Sequence, residues 1–187
     1  MNLYICEICG DAYIGEEKPT DCPFCGARNN FIKPADEAKP ITEEKIPAST
    51  RGDDRSSTRG GEISELSKNN LMETLALETR ANAMYLCMAG KAQDYKTKAM
   101  YKRLAKVELE HAVIVTKLLG ISMSEIKTET CADETKENFQ KTIKLEDHAV
   151  ELYKKFTLEA VEPNIRKFFG ALVQVEAGHI KLIKNYL

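Results

Sequence analysis

The chain reads Lys-Val-Glu-Leu-Glu-His at residues 106–111, which sets the carboxylate of Glu108 and the imidazole of His111 one turn apart on a predicted helix. The same pattern recurs 68 positions later, where Glu176 and His179 take the places of Glu108 and His111. A gapless alignment of residues 71–119 with 139–187 also pairs Leu104 with Leu172, Val107 with Val175, Thr74 with Thr142, Ala81 with Ala149 and Leu119 with Leu187. The sequence therefore contains an internal duplication.

Each half carries a Glu, a Tyr seven residues later, and a Glu-x-x-His pair that begins thirty residues after the first Glu. The first half supplies Glu78, Tyr85, Glu108 and His111, and the second half supplies Glu146, Tyr153, Glu176 and His179. In a four-helix bundle, a di-iron centre takes one Glu from each of two helices and a Glu-x-x-His pair from each of the other two. The duplication therefore predicts a two-metal site whose six ligands are the four Glu and two His residues.

These ligands could instead be ordinary polar residues, because Glu is a good helix former that usually faces water. The apolar pattern argues against this alternative, since apolar residues at spacings of three and four surround both Glu-x-x-His pairs. They are Met100, Leu104, Val107, Ile114, Val115 and Leu118 around the first pair, and Phe168, Leu172, Val175, Leu182 and Ile183 around the second. Four carboxylates would be buried together, and two cations are the simplest compensation for their charge.

Composition and charge exclude several classes of partner. The net charge of −2 and the pI near 6.0 predict no basic surface for nucleic acid and no polybasic patch for a membrane. The N-terminus lacks the features of a signal peptide, and no apolar run approaches the roughly 18 residues of a membrane span. We therefore expect a soluble, cytoplasmic protein.

Residues 1–33 contain four of the six cysteines as two Cys-x-x-Cys pairs, Cys6 with Cys9 and Cys22 with Cys25. A glycine follows each pair, as in turns whose backbone amides point at sulfur, and four thiolates in this arrangement are typical of a tetrahedral metal site. A disulfide framework is the competing explanation, but it belongs to oxidising compartments. The spacing leaves open whether the metal is zinc or a single iron, because both use the same four thiolates.

Residues 34–66 are rich in Pro, Gly, Ser and mixed charges, so we predict a flexible linker. About thirty flexible residues reach roughly 30 Å, far enough to carry the metal domain to a neighbouring subunit. Together with Tyr95, Met100 and Tyr101, which we expect on an outer face of the bundle, this reach predicts a homodimer or larger assembly.

Four helices are predicted in the remainder of the chain, at about residues 70–92, 97–119, 134–161 and 163–187. Asn70 begins an Asn-x-x-Glu capping box, Gly120 suits a helix end, and Pro163 suits a first helical turn. The connections are short within each half and longer between the halves, as in ferritin-like bundles with one crossover. The predicted fold is an all-α ferritin-like four-helix bundle over residues 67–187, preceded by a small four-cysteine metal domain.

This combination of a four-cysteine domain with paired Glu-x-x-His helices resembles the rubrerythrins. Because the cysteines come first, the order of domains resembles the reverse rubrerythrins of anaerobes. The resemblance covers residues 1–33, as a rubredoxin-like domain, and residues 67–187, as a ferritin-like di-iron bundle. It does not cover the linker.

The resemblance implies a non-haem peroxidase that reduces hydrogen peroxide to water, with one iron in the tetrathiolate site and two irons in the bundle. Electrons would pass through the tetrathiolate iron from an external donor, a rubredoxin or an NAD(P)H-linked reductase. Glu108 and Glu176 would bridge the two irons. Tyr85 and Tyr153 would donate hydrogen bonds to ligand carboxylates or to peroxide, although a role as plain core tyrosines is an equal alternative.

The sequence departs from the family at the third helix, where typical members carry an additional glutamate one turn past the ligand. Here that position is Ala149. His148 and Glu151 lie nearby, but either would need a local π-bulge to turn inward, and we expect His148 to be solvated or outside the ligand set. Cys87 and Cys131 have no spaced partner, so we expect free thiols, with Cys87 buried.

Two other functions remain open at this level. A ferritin-like bundle could oxidise or store iron, or it could be a metal-binding scaffold beside a structural zinc ribbon. The attached four-cysteine domain favours a reductive enzyme, because storage needs no electron donor. The sequence does not distinguish peroxide from oxygen as oxidant, or iron from manganese in the bundle.

Overall fold

The computed structural model describes residues 1–44 and 62–187. The helices are α1 Glu65–Lys91, α2 Tyr95–Leu119, α3 Thr135–Glu159 and α4 Pro163–Lys184, and the strands are β1 Asn2–Cys6, β2 Ala12–Gly15 and β3 Ile32–Pro34. Helix α1 packs on α2 and α3 packs on α4. This architecture confirms the predicted fold class. No helix in the two described ranges is long and apolar enough to cross a membrane.

The N-terminal unit is a three-stranded antiparallel sheet in the order β2-β1-β3. Strand β1 ends at Cys6, and a tight turn follows in which the amide of Gly10 donates to the carbonyl of Cys6 at 2.8 Å. Gly26 closes the second turn in the same way on Cys22, at 3.0 Å. Both glycines have positive φ, 84° and 78°, which side chains rarely tolerate, so these positions favour glycine.

Part of the predicted linker packs against this unit. Pro34 ends β3, and Ile41 is only 1% exposed, with its amide donating to the carbonyl of Glu7 at 2.7 Å. One buried isoleucine anchors a segment whose composition otherwise indicates a linker. Residues 45–61, the rest of the predicted linker before α1, lie outside the described residues.

Helix α1 begins earlier than the sequence predicted. Ser64 is its N-cap, and its hydroxyl accepts from the amide of Ser67 at 3.2 Å. The amide of Ser64 and the hydroxyl of Ser67 both donate to the carboxylate of Glu162, each at 2.6 Å, which ties the start of α1 to the start of α4. Asn70, the predicted cap, is buried inside α1 and donates to Glu159 at 2.9 Å. The Ser64 cap and its tertiary contact with Glu162 therefore set this helix start, and the predicted cap at Asn70 does not.

The other helix ends follow local sequence more closely. Asp94 caps α2 by accepting from the amide of Thr97 at 2.8 Å, and α2 ends at Gly120 with a left-handed φ of 66°. Pro163 occupies the first turn of α4, as predicted. Helix α3 ends at Glu159, two residues before the predicted end, and Ala160 adopts an extended conformation.

The predicted outer face of α2 is only partly correct. Tyr95 is 86% exposed, but Met100 and Tyr101 are buried. Tyr101 packs between the rings of Tyr85 and Phe139, with 5.9 Å between centroids on each side. Because Tyr101 lies one turn before the buried Leu104, it belongs to the apolar stripe of α2 rather than to a subunit interface.

Candidate metal centres

The four N-terminal cysteines converge into one buried cluster. The sulfur atoms of Cys6 and Cys25 lie 3.7 Å apart, as do those of Cys9 and Cys22, and all four are free thiols within 4.8 Å of one another. A tetrahedron of sulfurs about 2.3 Å from a central metal has edges of about 3.8 Å. The cluster therefore fits one tetrahedrally coordinated ion.

The ionisation of this cluster also fits a cation. Hydrogen bonds from the other thiols, Cys25 foremost, lower the pKa of Cys22, while the hydrogen bond with Cys22 raises the pKa of Cys9. Without a cation, some of these sulfurs must keep their protons so that others can lose theirs. A bound metal would displace the remaining protons and let all four act as thiolates.

Four helices bring the six predicted ligands of the bundle together, and each ligand is at most 8% exposed. Helix α1 supplies Glu78, α2 supplies Glu108 and His111, α3 supplies Glu146, and α4 supplies Glu176 and His179. They form two overlapping groups of possible ligands. Glu108 and Glu176 belong to both groups, whereas Glu78 and His111 belong to one and Glu146 and His179 to the other.

The two shared carboxylates each face both histidines. Glu108 places Oε2 3.2 Å from Nδ1 of His111 and Oε1 3.2 Å from Nδ1 of His179. Glu176 places Oε1 3.5 Å from Nδ1 of His111 and Oε2 2.8 Å from Nδ1 of His179. One oxygen of each carboxylate is thus available to each half, as two bridging ligands require.

Several polar atoms at this centre are buried without a hydrogen-bond partner. They are both carboxylate oxygens of Glu108, both of Glu176, and Nδ1 of His179, whose close approaches, down to 2.8 Å, do not have the angles of a hydrogen bond. Buried polar atoms almost always find a partner, because leaving them unpaired is costly. Two cations between the carboxylates would satisfy all five atoms, so the residues present fit a two-metal centre.

Burial and mutual repulsion perturb the carboxylates. Burial raises the pKa of Glu78 to about 7, and burial with the nearby charge of Glu108 raises the pKa of Glu176 well above its usual value. Burial would also raise the pKa of Glu108, but His179 and His111 outweigh it and lower that pKa. Bound cations would therefore release protons from this centre.

The two repeated tyrosines connect the halves. Tyr85 donates its hydroxyl hydrogen bond to Oε1 of Glu146, and Tyr153 donates to Oε1 of Glu78, so each tyrosine serves the other half's carboxylate. Both side chains are fully buried, and burial raises the pKa of each well above its usual value. Each hydroxyl therefore keeps its proton.

Neither alternative residue on α3 joins this centre. His148 and Glu151 are exposed, and Glu151 pairs with Lys154 at 2.7 Å on the surface. Helix α3 runs without a π-bulge, and Ala149 is buried where a further carboxylate would stand. The structure therefore places Glu146, in the repeat register, at the centre.

The cysteine cluster lies against the bundle centre. Nε2 of His111 is 2.9 Å from the backbone carbonyl oxygen of Cys25. Because a carbonyl only accepts, Nε2 carries a hydrogen, and Nδ1 is the ring nitrogen that faces the carboxylates and could bind a metal. The sequence did not predict this contact, because the linker composition suggested a freely tethered domain.

Two glycines allow the N-terminal unit to approach the bundle. A Cβ at Gly26 would lie 3.2 Å from Cγ1 of Val175, and a Cβ at Gly178 would lie 3.1 Å from Nη2 of Arg28. At the rim, Lys167 and Glu7 form an ion pair at 3.1 Å. Glycine inside a helix is unfavourable by about 1 kcal/mol, so Gly178 was a sequence feature that could have indicated a close approach, although Gly90 and Gly170 also lie inside helices with nothing near them.

The prediction of free thiols at Cys87 and Cys131 is wrong. These residues form a disulfide with 6.0 Å between their Cα atoms, and both are half-buried. They meet because the segment after α2 returns along α1, where Arg80 pairs with Glu129 at 3.2 Å and Lys91 pairs with Asp133 at 2.7 Å. No local spacing indicates a pair separated by 44 residues.

Comparison with known proteins bears on both parts of the chain. A sequence model of the family described as Rubrerythrin matches residues 69–187. The chain is 30% identical over 198 residues to Reverse rubrerythrin-1 of Clostridium acetobutylicum, covering 100% of this chain and 97% of that protein. A solved structure, Hypothetical Protein Pfu-1136390-001 from Pyrococcus furiosus, is similar with a TM-score of 0.54 and 18% identity, covering 64% of this chain and 87% of its own. That last similarity shows the fold alone.

Proposed function

The chain belongs to the rubrerythrin family, and on that premise we propose that it is a non-haem di-iron peroxidase that reduces hydrogen peroxide to water. Cys6, Cys9, Cys22 and Cys25 would hold one iron, and the six Glu and His ligands of the bundle would hold two. Iron held by these residues would supply the redox chemistry, two-electron reduction of peroxide at the bundle ligands and relay of electrons at the four cysteines.

The contact between His111 and Cys25 carries this proposal. Cys25 offers its sulfur to one centre and its backbone carbonyl to an imidazole of the other, with 2.9 Å across the hydrogen bond. A continuous route of covalent bonds and one hydrogen bond therefore joins the two sets of ligands. Such a route is what a reductive enzyme needs, and it favours peroxide reduction over iron storage or a structural zinc ribbon.

Reduction of one peroxide to two waters consumes two protons as well as two electrons. Tyr85 and Tyr153 hold protons at their hydroxyl groups, directly on the carboxylates of Glu146 and Glu78. They orient these carboxylates and keep a hydrogen-bond donor at each side of the centre. The buried aromatic rings around them, such as Phe169 beside Tyr153 at 6.2 Å, exclude water.

The proposed partners are hydrogen peroxide and an external electron donor, a rubredoxin or an NAD(P)H-linked reductase. A metal site made of four cysteines, rather than a disulfide framework, suits a reducing compartment such as the cytoplasm. A homodimer or larger assembly remains part of the proposal, although the contact of Cys25 with His111 lies within one chain and needs no second subunit.

A matched pair of variants on α3 tests the proposal. Glu146→Ala removes a buried ligand candidate, whereas Glu151→Ala removes an exposed carboxylate about one and a half turns away. We expect Glu146→Ala to lose about one iron per chain and to slow peroxide reduction by at least about tenfold, and Glu151→Ala to match the native protein. Iron content and peroxide consumption with an external reductant are measured. A native-like Glu146→Ala would contradict the assignment.

A further inference from the structure

A disulfide joins Cys87 on α1 to Cys131 in the segment between α2 and α3, outside both candidate metal centres. The four other cysteines form one candidate metal site, and cysteine metal sites rather than disulfide frameworks are typical of reducing compartments. In such compartments, disulfides are mostly transient and serve catalysis or redox sensing. We propose that Cys87 and Cys131 are a reversible thiol pair that hydrogen peroxide oxidises directly. The inference rests on the proposed function only for its oxidant, hydrogen peroxide. The reaction itself uses neither metal centre.

Cys131 is the better placed of the two sulfurs for attack on peroxide. It lies outside regular structure, four residues before the start of α3, whereas Cys87 lies inside α1. Asn138 holds the neighbouring backbone by donating to the carbonyl of Ala132 and accepting from its amide, both at 3.0 Å. Cys131 is therefore presented at a fixed position and is only half-buried.

Lys91 places a cation beside the pair. Its Nζ donates to the carbonyl of Cys131 at 2.9 Å and to the carboxylate of Asp133 at 2.7 Å. It also lies four residues after Cys87, on the same face of α1. A nearby ammonium favours the thiolate, which is the reactive form of cysteine. Lys91 is thus a positioning residue for this reaction.

The reaction balances with peroxide as the sole oxidant. The thiolate of Cys131 attacks one peroxide oxygen, so that an S–O bond forms, the O–O bond breaks, and the departing hydroxide takes a proton to become water. The thiol of Cys87 then attacks the sulfur of this sulfenic acid, forming the S–S bond, and the second oxygen leaves as water with the proton of that thiol. Two thiols lose two electrons in total, and one peroxide gains them.

The oxidised pair closes a ring that contains all of α2. Glu108 and His111 therefore lie within the closed segment, while Cys87 stands two residues after Tyr85. The crosslink ties the segment between α2 and α3 to α1, and it reduces the conformational entropy of the unfolded chain. Oxidation of the pair by peroxide would thus secure α2, the helix that carries Glu108 and His111, under the conditions in which the bundle works.

Thiol trapping on the full-length, iron-loaded protein tests the inference. The protein is reduced anaerobically with dithiothreitol, freed of reductant, treated with hydrogen peroxide in excess over the one equivalent that a reduced bundle centre would consume, and alkylated for peptide mass spectrometry. We expect the disulfide between Cys87 and Cys131 to be lost on reduction and to form again. In Cys87→Ser, dimedone should trap a sulfenic acid on Cys131, at least about tenfold more than on Cys87 in Cys131→Ser. A crosslink that resists dithiothreitol, or thiols that do not react with peroxide, would overturn the inference.

Variants at the bundle centre and at Lys91 separate this inference from the proposed function. Glu176→Ala should still form the crosslink with peroxide, whatever its peroxidase rate, and a crosslink that requires an intact bundle centre would overturn direct oxidation. In the Cys87→Ser background, Lys91→Met should slow dimedone trapping about fivefold, and Lys91→Arg should restore it. Lys154→Met removes an exposed lysine paired with Glu151 and should change nothing. An unchanged rate in Lys91→Met would overturn the role of Lys91.

Discussion

The two halves of the duplicated bundle share their ligands but differ in their surroundings. His111 in the first half is 1% exposed, and its Nε2 donates to the carbonyl of Cys25, while His179 in the second half is 8% exposed. The residue before each histidine also differs: Glu110 in the first half corresponds to Gly178, which leaves room for Arg28. The duplication thus supplies a symmetric centre, and the N-terminal unit makes it asymmetric by contacting one histidine.

Removal of either shared carboxylate, Glu108 or Glu176, should have the largest effect on activity. The loss should be the same for both residues. Glu108→Ala and Glu176→Ala each remove a residue that faces both histidines, so both should lose the magnetically coupled two-iron signal and at least about 100-fold of peroxide turnover. Glu78→Ala and Glu146→Ala should each weaken one ion and leave about one bundle iron per chain. Mössbauer spectroscopy and iron analysis measure these effects. A coupled signal in Glu108→Ala or in Glu176→Ala would contradict the assignment of both carboxylates as bridging ligands.

Loss of the N-terminal metal site should stop turnover but leave the bundle centre able to react with peroxide. Cys9→Ser should remove the absorption of a thiolate iron and abolish turnover with an external reductant, because one of four thiolates is missing. A pre-reduced bundle centre should still consume peroxide once. Stopped-flow absorbance follows both steps. Full reductant-coupled turnover in Cys9→Ser would remove the electron-relay role.

Replacement of the two histidines sharpens the comparison between the halves. His111→Ala and His179→Ala each remove one candidate ligand, but only His111→Ala also breaks the contact with Cys25. Both variants should bind less iron in the bundle, whereas re-reduction through the thiolate iron should be about tenfold slower in His111→Ala than in His179→Ala. Single-turnover kinetics at matched iron content measure the difference. Equal re-reduction rates would show that the Cys25 contact is not the route.

The smallest expected effect is a change with pH in the stability of the metal-free protein, caused by Glu78. Burial raises the pKa of Glu78 to about 7 from the usual 4.5, so the folded state binds this proton more tightly than the unfolded state does. The contribution of Glu78 to stability is complete below about pH 4.5 and is lost as pH rises to about 7, by up to about 3 kcal/mol.

Urea unfolding of the metal-free protein at pH 5 and pH 8 checks this effect. Glu78→Gln cannot titrate at residue 78, so its free energy of unfolding should fall less between the two pH values than that of the native sequence. The comparison of the two proteins cancels the opposing contribution of Glu108, whose pKa is lowered. Identical pH dependence in both would contradict the raised pKa of Glu78.

The features that were predictable from sequence are those encoded by short periodic spacing. The apolar stripes of α2 and α4, the end of α2 at Gly120 and the inward position of Glu146 all follow from local pattern and from the repeat. The features that were missed depend on residues far apart in sequence. Glu162 sets the start of α1 from 98 residues away, and the disulfide partner of Cys87 lies 44 residues further along the chain. No local rule predicts such contacts, because packing of the whole fold creates them.

The candidate ligands of the bundle could be predicted from sequence, whereas the contact that joins the two metal centres could not. The six residues of the bundle centre were identified because two copies of one pattern agree. The contact of Cys25 with His111 was missed because 86 residues separate them, and composition alone suggested a free tether. The burial of Ile41 on the N-terminal unit depends in the same way on a partner outside its own segment.

Metal analysis combined with the visible spectrum of anaerobically purified protein tests the central claim most directly. The claim is that one chain holds a tetrathiolate iron beside a two-iron centre. We expect about three irons per chain and, after oxidation, the red absorption of a ferric tetrathiolate site, with Glu176→Ala losing bundle iron but keeping that absorption. A colourless protein with zinc at the four cysteines, or a native bundle that binds fewer than two metals, would contradict the account.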